Sequence, residues 1–285
     1  MAIFGRQAAP AAGAERGEAG APPRNVAIRA SRPRFMGCPF DPITMDEAVA
    51  RALAWCRRDD GRPRTIVTMN AALLVAMRRD ADLARACRAG DLVVPDGVPV
   101  VWASRLAGVP LPGRVAGVDL MPRLLEAAAE HGLPVFFLGA REEVVRELVR
   151  RCAARWPQLL VAGWRNGYFA PREHPEVVAR IRRSGAAMLF VGMPSPFKET
   201  WCERHRDALG VPVILGVGGS FDVLAGFVPR APRLAQRAGL EWLWRLAMEP
   251  RRLFRRYLVT NTIFVARAAL EVARRAARAG RAGAR

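Results

Sequence analysis

Six short apolar runs punctuate the chain, at Thr65–Met69, Asp91–Val94, Val135–Leu138, Leu159–Ala162, Met188–Val191 and Val213–Val217. Within each run the apolar residues are continuous rather than alternating, so a strand made from it hides both faces. Amphipathic stretches such as Met45–Arg57, Leu83–Arg88, Asp119–His131 and Glu142–Trp156 supply covering helices. Buried strands joined by helices predict an α/β fold, a Rossmann-like parallel sheet with helices on both faces, over residues 35–226. Residues 1–34 are rich in Ala, Gly, Pro and Arg without periodicity and read as a disordered leader. Residues 227–285 read as a C-terminal helical, basic appendage.

Ligands of such sheets bind outside the carboxyl ends of the strands. Those ends are Thr68-Met69-Asn70, Pro95-Asp96-Gly97, Gly139-Ala140-Arg141, Gly192–Pro196 and Gly216-Val217-Gly218-Gly219. Thr68 and Asn70, two residues apart, face the same way; they either hydrogen-bond a ligand or cap the next helix. Asp96 is placed to remove a proton from an acceptor hydroxyl, with a helix N-cap as its competing role. The turn holding Gly218 and Gly219 opens a helix and offers backbone N–H groups to a phosphate. It is not a dinucleotide fingerprint, because Phe221 stands where G-x-G-x-x-G requires its third glycine. Arg114, in the loop Leu111–Gly117, either clamps a diphosphate or sits in solvent. Lys198 is the single lysine among 45 basic residues, which hints that an ammonium is wanted there.

The formal net charge is +19, and residues 227–285 hold 14 arginines against Glu241, Glu249 and Glu271, a net of +11. Such a segment needs an anionic partner, either phosphate groups or an anionic leaflet. On a helical wheel from Pro250 to Ala279, residues from Leu253, Phe254 and Leu258 through Phe264, Val265, Ala268 and Val272 fall within about 140°. Arg252, Arg255, Arg256, Arg267, Arg274 and Arg278 fall on the other side. A helix of this kind lies in a bilayer interface, packs on the α/β core, or pairs with another subunit.

The five cysteines are scattered without a CxxC pair and the three histidines are isolated, so neither a zinc site nor a disulfide framework is expected. This usage suits a reducing cytoplasm, and no cofactor or metal is expected. No run of about 18 apolar residues exists to cross a bilayer. Two other classes compete: a dehydrogenase-like nucleotide-binding domain, against which the failed glycine fingerprint counts, and a non-catalytic basic binding protein. Nucleic acid is disfavoured as a partner, since no aromatic-interleaved basic strand or recognition helix is present.

One ordered set of motifs goes further. Thr68–Asn70, Pro95–Gly97, Gly113–Asp119, Asn166–Phe169, Ser195–Glu199, Gly216–Asp222, Arg230–Pro232 and Gly239–Leu246 together resemble the WecG/TagA/CpsF family of bacterial glycosyltransferases (glycosyltransferase family 26). The resemblance runs from about Cys38 to Phe264. It implies a hexosyltransferase-class enzyme with a UDP-sugar donor, N-acetylmannosamine or glucuronic acid in type. It also implies inversion at the anomeric carbon and an undecaprenyl-diphosphate-linked acceptor in cell-surface polysaccharide synthesis. Asp96 becomes the expected catalytic base, with Thr68, Asn70 and Arg114 around the active site. Lys198, Gly218, Gly219 and Asp222 join the expected substrate-binding set, and Arg245, Arg252 and Arg255 are expected to fold over the pocket near the diphosphate. Many members carry Gln where this chain has Lys198. The expected location is peripheral, on the inner face of the cell membrane, with a second copy of the chain as a further candidate partner.

Overall fold

A hairpin of β1 (Arg34–Phe35) and β2 (Cys38–Pro39) leads into helix α1 (Met45–Cys56). The start of α1 is fixed by a capping box, in which the Thr44 hydroxyl accepts from the Glu47 N–H and the Glu47 carboxylate accepts from the Thr44 N–H. The structure, a computed structural model, describes residues 32–58, 60–248 and 250–283, except for some side chains in the last three helices. Six strands follow α1: β3 (Arg64–Met69), β4 (Leu92–Pro95), β5 (Val135–Gly139), β6 (Val161–Arg165), β7 (Met188–Gly192) and β8 (Val213–Gly216). They form one sheet in the order β4-β3-β8-β7-β5-β6, and all five pairings are parallel. The connecting helices are α2 (Ala71–Ala76), α3 (Ala81–Ala89), α4 (Val98–Leu106), α5 (Gly117–Glu130), α6 (Glu142–Arg155), α7 (His174–Arg183) and α8 (Phe197–Leu209). After β8 come α9 (Ser220–Leu224), α10 (Arg233–Arg237), α11 (Glu241–Met248) and the long α12 (Pro250–Gly283).

Successive strand residues enter opposite layers, as the pleat requires. Phe137 packs with Phe190, Leu120, Leu148 and Phe221 beneath α1, α5, α6 and α9. Its neighbours Phe136 and Leu138 pack on the other face with Ile181, Trp201 and Leu209 of α7 and α8. Each fully buried Phe or Leu of this kind contributes about 1.5–3 kcal/mol. A third cluster covers the β3–β4 end of that second face and joins Phe35, Phe40, Leu74, Val93 and Val100 to Phe264 and Ala268 of α12.

The expected α/β sheet is present, and five apolar runs become strands close to where the sequence puts them. The sixth moves. The run Leu159–Ala162 supplies only the start of β6, which continues through Gly163, Trp164 and Arg165. This is an edge strand, half-buried along its length, so it needs no continuous apolar run. Gly163 is required there by close approach, because a Cβ would lie 2.6 Å from the Phe136 ring. At the N-terminus the leader expected over residues 1–34 lies mostly outside the described residues. Arg32 to Arg34 belong to the folded body: Arg32 bonds the Gly90 carbonyl and the Asp41 carboxylate, and Phe35 beside them is buried.

Helix α12 packs against α2, α4 and α11. One edge of its apolar stripe, Phe264 and Ala268, is only 4% and 7% exposed. The other edge, Phe254, Leu258 and Val265, faces solvent, where Val259 and Leu270 join it. The stripe is therefore wider than the contact it makes, and one helix both completes the core and presents an apolar surface. Although every strand precedes Gly226, the hydrophobic core does not end there. Phe264→Ala should thus lower the urea-unfolding free energy by about 3–5 kcal/mol, while Val265→Ala should change it by less than about 0.5 kcal/mol. Equal effects at the two positions would contradict this docking.

Candidate functional site

The sheet's carboxyl edge collects Thr68, Asn70, Asp96 and the Gly216–Gly219 turn from three adjacent strands, β4, β3 and β8. Thr68 is buried, its hydroxyl donates to the Gly216 carbonyl at 3.4 Å, and Gly117 packs over it. It thereby ties the end of β3 to the glycine turn. The Asn70 side-chain oxygen Oδ1 accepts from the Leu73 N–H at 3.0 Å, so this residue caps α2.

The residue at the N-cap of α4 is Gly97, at φ 134°, and Asp96 stands one residue before it. A positive φ of that size is accessible to glycine, which turns the chain sharply and leaves the Asp96 carboxylate at the strand end. The Asp96 N–H extends the ladder by donating to the Met69 carbonyl at 2.8 Å. Half-buried, Asp96 sits close enough to Arg114 to act on its charge.

Arg114 is neither in solvent nor alone. It donates to Asp119 Oδ2 at 2.5 Å and to Glu241 Oε2 at 2.8 Å. Arg230 donates to the other Asp119 oxygen. Burial works against the charge of Arg114, but Glu241, Asp119 and Asp96 outweigh it and hold its pKa above the ordinary value. Asp119, Arg230 and Glu241 carry no assigned role in the sequence reading, although each lies inside a quoted motif: Gly113–Asp119, Arg230–Pro232 and Gly239–Leu246. Charged residues inside such motifs were the available signal.

The glycine turn is open on its outer side, where nothing lies within 4 Å of a Cβ built on Gly219. Phe221, in the place of the missing fingerprint glycine, is fully buried and packs edge-on against Phe137. That removes the geometry a dehydrogenase-like domain needs. Asp222 serves the turn after α9 through its backbone carbonyl, which accepts from the N–H groups of Phe227 and Val228. The side chains of Arg245, Arg252 and Arg255 lie outside the described residues.

Lys198 is placed differently from the expectation of a substrate ligand. It is 6% exposed and lies on the α8 side of the sheet behind Gly216, where a Cβ would meet its stem at 2.9 Å. Its ammonium is held by Glu199 Oε1, which also accepts from the Ser195 hydroxyl at 2.9 Å. The lysine therefore supports the glycine turn from beneath. Among the described residues no three His, Cys, Asp or Glu side chains gather as a metal-binding group. Burial raises the thiols of Cys38, Cys152 and Cys202 to about 12, so none of these is a nucleophile at neutral pH. Glu199→Ala, which strands a buried ammonium, should cost about 3–5 kcal/mol of stability. Lys198→Gln, which keeps a hydrogen-bonding head, should cost less, and chemical denaturation of both variants checks the order.

The chain matches the model of the glycosyl transferase WecG/TagA/CpsF family over residues 33–278, close to its whole length. The span takes in the strand ends, the charge network and α11 and most of α12. The chain belongs to the WecG/TagA/CpsF family, and it is a glycosyltransferase of cell-surface polysaccharide biosynthesis.

Proposed function

We propose that the chain transfers a sugar of the N-acetylmannosamine or glucuronic acid class from a UDP-sugar to an undecaprenyl-diphosphate-linked acceptor, with inversion. The observation that carries this reading is the place of Asp96, half-buried at the carboxyl end of β4 and neighboured by the Arg114 guanidinium. In the reaction the Asp96 carboxylate takes the proton of the acceptor hydroxyl as its oxygen attacks the anomeric carbon. The bond from that carbon to the diphosphate breaks on the opposite face, and UDP leaves with the electron pair. Negative charge grows on the leaving diphosphate, and in this reading Arg114 and the backbone N–H groups of the Gly218-Gly219 turn receive it. Asp96→Asn keeps the shape but cannot take the proton. It should lower turnover about 10²–10⁴-fold while UDP affinity stays within a few-fold. Near-normal turnover would remove Asp96 from the base role.

Arginine can neutralise a diphosphate without a cation. Turnover should therefore persist in EDTA, and complete loss restored by Mg²⁺ or Mn²⁺ would count against this account.

Membrane association belongs to the same proposal. Among the described residues no helix is long and apolar enough to cross a bilayer. What supports surface binding is the outer face of α12, where Leu258, Val259, Val265 and Leu270 are exposed, together with exposed Trp102 and Leu106 on the adjacent α4. Arg251, Arg274 and Arg278 on α12 are also exposed. Each basic residue near an anionic leaflet is worth about 1 kcal/mol, and each buried apolar side chain about 1.5–3 kcal/mol. Leu258→Glu with Val265→Glu should reduce co-sedimentation with anionic liposomes at least about ten-fold. Turnover on a water-soluble acceptor should be unchanged. Undiminished liposome binding would place the contact elsewhere.

A further inference from the structure

Four charged side chains meet beside Asp96, and they come from parts of the chain far apart in sequence. Arg114 arrives on the loop before α5, Asp119 in the first turn of α5, Arg230 after α9, and Glu241 at the start of α11. Two guanidinium groups face two carboxylates, so the cluster is neutral overall.

The two carboxylates are not equally held. Both oxygens of Asp119 accept hydrogen bonds, one from each arginine, and α5 beneath it is anchored in the core by Leu120, Leu124 and Leu125. Glu241 is bonded through Oε2 alone. Its Oε1 is buried without a hydrogen bond, 3.9 Å from Arg230, and Arg230 Nε is also buried without a partner. A small cavity bordered by Val118, Val223, Pro229 and Trp244 adjoins this loosely matched pair. A diphosphate carries more charge and more acceptor oxygens than one carboxylate, and it can satisfy two forked donors at once.

We infer that Arg114 and Arg230 form a two-arginine clamp for the donor diphosphate, and that Glu241 is the resting counter-anion which the diphosphate displaces. This rests on the glycosyltransferase reading above and adds Arg230 and Glu241 to its site. The exchange takes place over the proton acceptor: Gly239, at φ 70°, packs on Val98, only two residues beyond Asp96. While Glu241 is in place the clamp has no net charge with which to hold stray anions. Donor entry releases the first turn of α11 from Arg114. Arg245 follows Glu241 by about one helical turn, so the segment that gives up the carboxylate contact is the one that carries the first of the three arginines expected over the pocket, Arg245, Arg252 and Arg255.

The test uses the full chain and two probes, UDP and inorganic pyrophosphate, titrated by calorimetry at fixed ionic strength, with ADP as the control nucleotide. Glu241→Gln, nearly isosteric, should tighten both ligands at least about five-fold. Arg230→Ala should weaken both about ten-fold or more, and Arg230→Lys should fall between. Hydrogen exchange over residues 239–248 should speed up when pyrophosphate binds the wild type and should already be fast in Glu241→Gln, a coupling that a merely structural residue would not show. Unchanged or weaker pyrophosphate binding by Glu241→Gln, or unchanged binding by Arg230→Ala, overturns the clamp, as does a wild type that binds neither probe. If the variants behave as expected but UDP is bound no better than ADP, the clamp stands and the UDP-sugar reading falls instead.

Discussion

A parallel ladder cannot be closed by a tight turn, so each strand must be followed by a crossover that returns the chain to the same end of the sheet. In this chain that rule governs five successive pairings, and it leaves both faces of the sheet under helices. Polar chemistry has nowhere to go except the strand ends. Thr68, Asn70, Asp96 and the Gly216–Gly219 turn converge because β4, β3 and β8 are neighbours and stop at the same edge. The site is a product of strand direction before it is a product of any one side chain.

Electrostatics then decides how that edge is finished. Asp96 and Arg114 belong to the sheet's own loops, but the balance of charge around them is set by residues that arrive much later, Arg230 and Glu241. The C-terminal segment is thus part of the site's charge state even before Arg245, Arg252 and Arg255 are considered. Lys198 shows the same logic inside the fold, where a lone ammonium is tolerated because Glu199 is buried with it.

Much of this was legible in the residues. Continuous apolar runs marked the buried strands, and strand ends marked the site, because both follow from local pattern and one topological rule. Asp96 could be singled out, but only the structure shows that Gly97 takes the N-cap position of α4 and that Arg114 lies beside Asp96. The pairing of Asp119 with Arg230 spans 111 residues and no local pattern encodes it. Lys198 was conspicuous by type, yet its position behind Gly216 depends on how α8 lies on the sheet. The wheel of α12 gave the width of an apolar stripe without its partners, so it could not divide Phe264, which docks, from Val265, which does not. Strand β6 slipped because it is only half-buried and lacks the continuous burial that made the others readable, the opposite edge strand β4 included.

The hydrophobic cluster over β3 and β4 draws Phe35 and Phe40 from the start of the described chain and Phe264 and Ala268 from near its end. Contacts of such long sequence separation are slow to form, because the loop must close before they stabilise anything. During synthesis, which proceeds from the N-terminus, this layer has no complete set of partners until the last helix has left the ribosome. The clusters under α6 and α8 can assemble earlier, since all their members precede Phe227. The nascent protein therefore carries an open apolar seam beside its future catalytic edge, and that seam is sealed last, by the same helix whose other face stays bare.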